Sequence, residues 1–196
     1  MNTVKGHFFY QDEHTVSQVP GVERYFEKLL INEKFNTIIE IGTQYGGLTY
    51  IISDIIKNNN LNSNLYTLDF VHYDWVEKES KIRNFNYINL DERSDEFLNT
   101  VIGLIENGGK TLVLCDGGNK IEEFNRYSKF LKQNDFIMAH DYSKNEDFFQ
   151  KEINGKIWNW LEIQLSNISE SVNSQNLVEY HKVDFWEVVW CCFEKN

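Results

Sequence analysis

Residues Thr37 to Thr49 read TIIEIGTQYGGLT, and this stretch decides the fold. Ile38, Ile39 and Ile41 make a short β-branched run of the kind required by a strand covered on both faces. Gly42, Gly46 and Gly47 follow; lacking a Cβ, they permit a sharp turn and a close approach by a ligand. Leu48, Ile51, Ile52, Ile55 and Ile56 then recur at helical spacing as one apolar stripe that would pack on a sheet. A strand, a glycine turn and a helix start in succession form the small-molecule site of many open α/β folds. Glu40 lies inside the apolar run, where an unpaired charge is costly, so it is expected to meet hydrogen-bond donors.

Outward from this stretch the same alternation repeats. Before it, the Pro20–Gly21 break and the apolar positions Val22, Tyr25, Phe26, Leu29 and Leu30 predict a helix over Val22 to Asn32. After it, strands are expected at Leu65 to Phe70, Phe85 to Leu90, Thr111 to Cys115 and Phe136 to Ala139. Between them lie a charged helix ending near Ile82, one marked by Phe97, Val101, Leu104 and Ile105, and one over Lys120 to Lys132. A Trp-containing helix around Ile157 to Leu165 is expected to lead into a Ser/Asn-rich connector. Two closing strands follow, Leu177 to Val183 and Phe185 to Phe193, with Asp184 at the bend. The pattern predicts an α/β, doubly wound, mostly parallel sheet with an antiparallel C-terminal strand pair. It also predicts a single domain over 1–196, in which residues 1–20 form an amino-terminal segment.

Composition narrows the function classes. A formal net charge of −11 argues against nonspecific nucleic-acid binding, which depends on Lys and Arg neutralising phosphates. No apolar run approaches the roughly 20 residues of a membrane span, and MNTVKGHFFYQDEH lacks the apolar core of a signal peptide. Cys115, Cys191 and Cys192 form neither a disulfide framework nor a CxxC zinc pattern. A cytoplasmic location fits best. Cys191 and Cys192, adjacent on a strand, should face opposite sides of the sheet.

The acids are placed systematically. Strand one carries Glu40, the second ends in Asp69, the third runs into Asp91, the fourth ends in Asp116 and the fifth in Asp141. In a doubly wound sheet these strand ends share the edge where ligands bind. Taken singly, each acid is explained by a helix cap or a turn. Taken together, they would repel one another unless something cationic or rich in donors sits among them. A ribose diol, an amino group, a sulfonium or a divalent metal would each serve.

TIIEIGTQYGG resembles motif I of the class I S-adenosylmethionine-dependent methyltransferases, in which an acid, any residue, Gly, three residues and Gly follow one another. LYTLD resembles the second-strand motif of that family. LVLCDGG and FNRYSKFLKQNDFIMAHDY resemble the fourth and fifth strand segments of its cephalosporin hydroxylase-like and macrocin O-methyltransferase-like subgroup. The likeness runs from about Tyr25 to Tyr142 and implies a Rossmann-like methyltransferase fold with S-adenosylmethionine as cofactor. It implies that Glu40, Gly42 and Gly46 shape the cofactor pocket, that Thr43 and Tyr45 line its turn, and that Gly47 leaves room for the helix. Asp69 would take the ribose hydroxyls, and Asp91 would lie near the adenine. Asp116 and Asp141 match positions that hold a divalent cation, Mg2+ by preference.

Two departures bear on the chemistry. Asn119 stands where the subgroup's D-G-x-H segment has histidine, and His140 precedes Asp141 where two consecutive acids are usual. His140 is thus open to three roles: general base, metal ligand, or a structural hydrogen bond at the strand end. The resemblance implies methyl transfer to the hydroxyl of a sugar or small metabolite, with Asp116 and His140 as the catalytic candidates and a metal at Asp116, Asp141 and His140 as an aid. Phe8, Phe9 and Tyr10, with Tyr73 and Trp75, are candidates for capping the substrate; core packing or a homo-oligomer contact accounts for them equally well. Two rivals stand beside this reading. A nucleotide-dependent oxidoreductase is disfavoured because Thr43 and Gln44 break the G-x-G-x-x-G spacing. A non-catalytic binding or partner protein would explain the missing histidine.

Overall fold

A computed structural model describes the backbone of residues 8–10 and residues 14–196. A hairpin of β1 (Phe8–Tyr10) and β2 (His14–Val16) leads into α1 (Val22–Glu33), then β3 (Thr37–Ile41) and α2 (Gly47–Asn58). There follow β4 (Asn64–Asp69), α3 (Asp74–Arg83), β5 (Asn86–Asn89), α4 (Asp95–Asn107), β6 (Thr111–Cys115), α5 (Lys120–Tyr127) and β7 (Phe136–Ala139). The C-terminal third holds β8 (Tyr142–Ser143), α6 (Glu146–Phe148), β9 (Ile163–Gln164), α7 (Leu165–Ser174), β10 (Leu177–Glu179) and β11 (Cys191–Lys195). No described helix is long and apolar enough to cross a membrane.

The main sheet has the order β10-β11-β7-β6-β3-β4-β5. From β5 to β7 every pairing is parallel, and β11 and β10 then add as antiparallel strands. In register, Ile39 stands opposite Tyr66 on one side and Val113 on the other. The chain leaves β3 for β4 in one direction and later returns to lay β6 along its other side. That reversal opens a crevice at the C-terminal ends of β3 and β6.

Strand alternation divides the core in two. Ile38, Leu112, Leu114, Phe136, Met138 and Cys192 face one layer with α1 and α2. Ile39, Ile41, Val113, Cys115, Ile137 and Cys191 face the other with α4 and α5. The two adjacent cysteines do point to opposite faces. Burying side chains of this size contributes about 1.5–3 kcal/mol each; truncating Ile39, which is fully buried, to Ala would cost about 2–5 kcal/mol. The helix starts are satisfied locally: Ser94 accepts from the Phe97 N–H and Asn119 from the Glu122 N–H.

Three expectations need correction. The closing strands are shorter than predicted, because residues Phe185–Val188 form a 3-10 turn that buries Phe185 and Val188. The Trp-containing stretch before Leu165 is not a helix; the helix is α7, within the supposed connector. A capping box between Gln164 and Asn167 starts it, and Ile168 and Ser171 form its buried face. The helix expected over Lys120 to Lys132 stops at Tyr127 and tightens into a 3-10 turn over Ser128–Phe130.

Candidate active site

A cavity of about 430 Å3 opens at the strand ends around the reversal point. Glu40, Gly42, Thr43, Gly47, Asp69, Asp116, His140 and Asp141 all line it. Its volume falls within the range usual for small-molecule sites.

The β3–α2 turn forms one wall. Gly42 has φ +93, and a Cβ there would lie 2.4 Å from the Asp116 carbonyl oxygen, so the turn and the end of β6 touch backbone to backbone. Glu40 is fully buried and accepts a hydrogen bond from the Thr49 hydroxyl. Burial pushes its pKa up to about 8; the Thr49 and Thr67 hydroxyls oppose the rise, and the nearby Asp116 and Asp69 carboxylates add to it. Asp69 accepts the Gln44 N–H and the Val71 N–H, one on each oxygen and both at 2.8 Å. An ionised carboxylate has about four lone-pair sites, so each oxygen can still accept once more. This is the donor-seeking surface that a ribose diol needs.

A dense ionic cluster forms the opposite wall. His140 Nδ1 lies 3.0 Å from Asp116 Oδ1. Gln18 Nε2 donates to Asp116 Oδ2 at 2.7 Å, and Trp190 Nε1 donates to Gln18 Oε1 at 2.8 Å, which fixes which way the amide faces. Trp158 Nε1 donates to Asp141 Oδ1 at 2.5 Å. Lys120 Nζ is 3.1 Å from Asp141 Oδ2, 2.8 Å from Glu162 Oε2 and 4.0 Å from Asp116 Oδ1. The His140 ring stacks on Trp190 at 4.9 Å and tilts against Trp158 at 5.2 Å. Its Nε2 is buried and has no partner among the described residues. Burial works against the charged imidazole, yet the Asp141 and Asp116 carboxylates outweigh it and raise the His140 pKa. Burial likewise penalises the Asp141 carboxylate, but His140, Lys120 and Trp158 overcome it and lower the pKa.

Solved structures with the same architecture are known. The chain aligns over 90% of its length with CmcI in a Mg-SAM form, covering 72% of that chain at 13% identity and a TM-score of 0.61. It aligns over 90% with MycE, a methyltransferase of the mycinamycin biosynthetic pathway, in complex with Mg, SAH and mycinamycin VI, at 14% identity and a TM-score of 0.55; here it spans 48% of the longer chain. The O-methyltransferase TomG from Streptomyces achromogenes, in complex with SAM, aligns over 89% of this chain and 80% of its own at 10% identity and a TM-score of 0.51. No protein-family model matches the sequence, and no curated protein matches it. The fold is that of the class I methyltransferases.

Within this methyltransferase fold several expected residues fall outside the cavity. Tyr45 is 43% exposed and packs on Tyr73 and Trp75. Gly46 has φ +84, and a Cβ there would strike the Tyr50 ring at 2.5 Å, so its role is to clear the chain itself. Asp91 is exposed and turns back to accept the Arg93 N–H at 3.0 Å, capping its own turn; Glu92 is the acid that reaches the cavity. The side chains of Phe8, Phe9 and Tyr10 lie outside the described residues, whereas Thr15, Ser17 and Gln18 just beyond them line the cavity. Tyr73 lines it as expected; Trp75 joins Tyr45 instead at a separate surface pocket.

The sequence reading missed Lys120, Glu162, Gln18, Trp158 and Trp160, all on the cavity wall. Gln18 and Glu162 had no signal. Lys120 gave none either: Asp116 stands four residues before it, but at the strand tip and outside the helix, where helical spacing does not bring opposite charges together. The cluster also fails as a metal site: among the described residues no three His, Cys, Asp or Glu side chains converge so as to hold an ion. His140, Gln18, Trp158 and Lys120 each set a nitrogen against an oxygen of Asp116 or Asp141, so N–H donors and an ammonium occupy the space between the two carboxylates.

Proposed function

We propose that the protein transfers a methyl group from S-adenosylmethionine to a hydroxyl oxygen of a small acceptor, a sugar or a comparable metabolite. One observation carries this reading: Asp69, at the end of β4, offers unsatisfied acceptor capacity on both oxygens, facing a cavity whose other walls are acidic. Those carboxylate acceptors suit a ligand that brings a diol and positive charge. The cofactor supplies an electrophilic methyl group when bound. The chain's own part is to orient the acceptor and take its proton.

For the second task the candidates are His140 and Asp116. A carboxylate only accepts, so the 3.0 Å contact requires His140 Nδ1 to carry a proton and leaves Nε2 as the atom that can gain one. Asp116 is the orienting partner, held by Gln18 on its other oxygen. Phe70, Tyr73, Trp158 and Trp160 supply aromatic surface along the cavity, suited to the apolar face of a sugar ring. Three buried, free thiols support a reducing, cytoplasmic setting. No step is assigned to a metal.

Calorimetric titration with S-adenosylhomocysteine tests the reading. Binding is expected, with Asp69→Ala weakening it by about 100- to 10,000-fold, the loss of two charge-assisted hydrogen bonds at about 1.5–3 kcal/mol each. Binding of NAD in place of S-adenosylhomocysteine would favour the oxidoreductase alternative. Binding without any methylated product across a panel of hydroxylated acceptors would favour a non-catalytic binding protein.

A further inference from the structure

Lys120 is the one lysine or arginine among the described residues that is buried, with a side-chain exposure of 7%. It sits at the first turn of α5 and reaches back across the turn that follows β6. Its ammonium lies among three carboxylates from three segments: Glu162 at 2.8 Å, Asp141 at 3.1 Å and Asp116 at 4.0 Å. The Gly117 carbonyl, at 3.1 Å, accepts a further hydrogen bond from it. An ammonium has three protons, and Glu162, Asp141 and Gly117 can take all three.

The carboxylates are arranged around that ammonium and not around an ion. Asp116 Oδ1 faces His140 Nδ1 and Asp116 Oδ2 takes Gln18 Nε2; Asp141 Oδ1 takes Trp158 Nε1 and Asp141 Oδ2 faces Lys120. An indole N–H can only donate, and the Trp190 contact pins the Gln18 amide with its NH2 toward Asp116. A hard divalent cation needs several oxygens aimed at one shared point; here each carboxylate oxygen of the pair is aimed at a nitrogen, and the point between Asp141 and Glu162 is held by the Lys120 ammonium. We propose that the Lys120 ammonium is the resident cation of this site, standing where the family resemblance expects a divalent metal, so that the protein acts without one. The assignment of the cation rests on these contacts alone, while its consequence for turnover rests on the methyltransferase reading.

The test is Mn2+ binding, followed by loss of the free-ion paramagnetic signal, on the full chain and on Lys120→Met. The substitution keeps the length of the side chain and removes its charge. Wild type should leave millimolar Mn2+ free, and its melting temperature should not respond to Mg2+ or to a chelator. Lys120→Met should melt lower, gain Mn2+ binding where Asp141 and Glu162 lose their cation, and recover melting temperature when the ion is added. Stoichiometric Mn2+ binding by wild type overturns the proposal, as does a Lys120→Met variant that folds yet gains no affinity. If Lys120→Met does not fold, the wild-type titration still decides, and Lys120→Arg, which retains the charge, should fold and remain indifferent to the ion. Activity abolished by a chelator and restored by Mg2+ would equally refute it. Titration with S-adenosylhomocysteine on the same preparation separates the two readings: absence of binding sinks the methyltransferase reading and leaves the Mn2+ result to judge the cation.

Discussion

Replacing Glu40 by Gln should make the protein more stable at neutral pH and leave it unchanged in acid. The carboxyl is fully buried, and burial moves its pKa from 4.5 to about 8. Between those values the folded state holds a proton that the unfolded chain has released. Stability therefore falls as pH rises through the window, and the penalty is complete only above the folded pKa. At about 1.4 kcal/mol per pH unit the full interval is worth about 5 kcal/mol. Structural relaxation and water entry reduce such penalties, so about 2 kcal/mol is the working figure. For a chain of this length that is roughly 4–8 °C in melting temperature. Gln keeps an acceptor for the Thr49 hydroxyl and presents its amide to the neighbouring Thr67 and Thr43 hydroxyls, which can accept. Thermal melts of both proteins from about pH 5 to about pH 8 read the effect. Wild type should lose stability along the series while Glu40→Gln stays flatter, the two curves meeting at the acid end. Parallel curves would refute the account, since they would mean Glu40 is ionised in the folded protein throughout.

Other consequences can be checked separately. Gly42→Ala places a Cβ 2.4 Å from the Asp116 carbonyl oxygen in a backbone conformation of φ +93, so a loss of about 3 kcal/mol is expected from urea unfolding, together with loss of cofactor affinity. Glu33 is held at about pH 2: burial would raise its pKa, but Lys110, Tyr180 and Lys182 outweigh it. Its contribution is present above the unfolded value of 4.5 and disappears as pH falls toward 2, so Glu33→Gln should unfold at the same acid midpoint or higher and be less stable than wild type at neutrality. If His140 is the base, turnover should fall on the acid side with an apparent pKa above 6.5, and the acid limb should vanish, along with most of the rate, in His140→Asn. A rate that is level from mildly acidic to neutral pH in wild type would remove His140 from that role.

The sheet was legible because its strands obey a rule that the sequence displays. A strand buried on both faces must be apolar throughout, and TIIEI, TLVLC and FIMA are readable for that reason alone. The acids at the strand ends were legible as a set, because topology brings the C-terminal ends to one edge. Asp91 shows the limit of that inference. A one-residue difference in where β5 ends sends Asp91 to its own turn and Glu92 to the cavity. The C-terminal third was harder. Trp158, Trp160 and Glu162 lie on a segment with neither helical nor strand period between α6 and β9, so no pattern marked them as wall residues. Lys120 read as an ordinary first-turn lysine, and only the convergence of Glu162 and Asp141 upon it gives it meaning.

Gln18 and Trp190 stand 172 positions apart, and their hydrogen bond closes the support behind Asp116. His140 likewise rests on Trp190. That wall of the cavity is therefore backed by residues on either side of the parallel strands in sequence, Gln18 before them and Trp190 after them. A chain cut after Asp141 would retain Asp116, Lys120 and His140 yet lack Trp158, Glu162 and Trp190, the partners of Asp141, Lys120 and Gln18. Order in the pocket is thereby coupled to docking of the segment that carries Trp190 into β11, and a product clipped before Trp190 is expected to have a slack site.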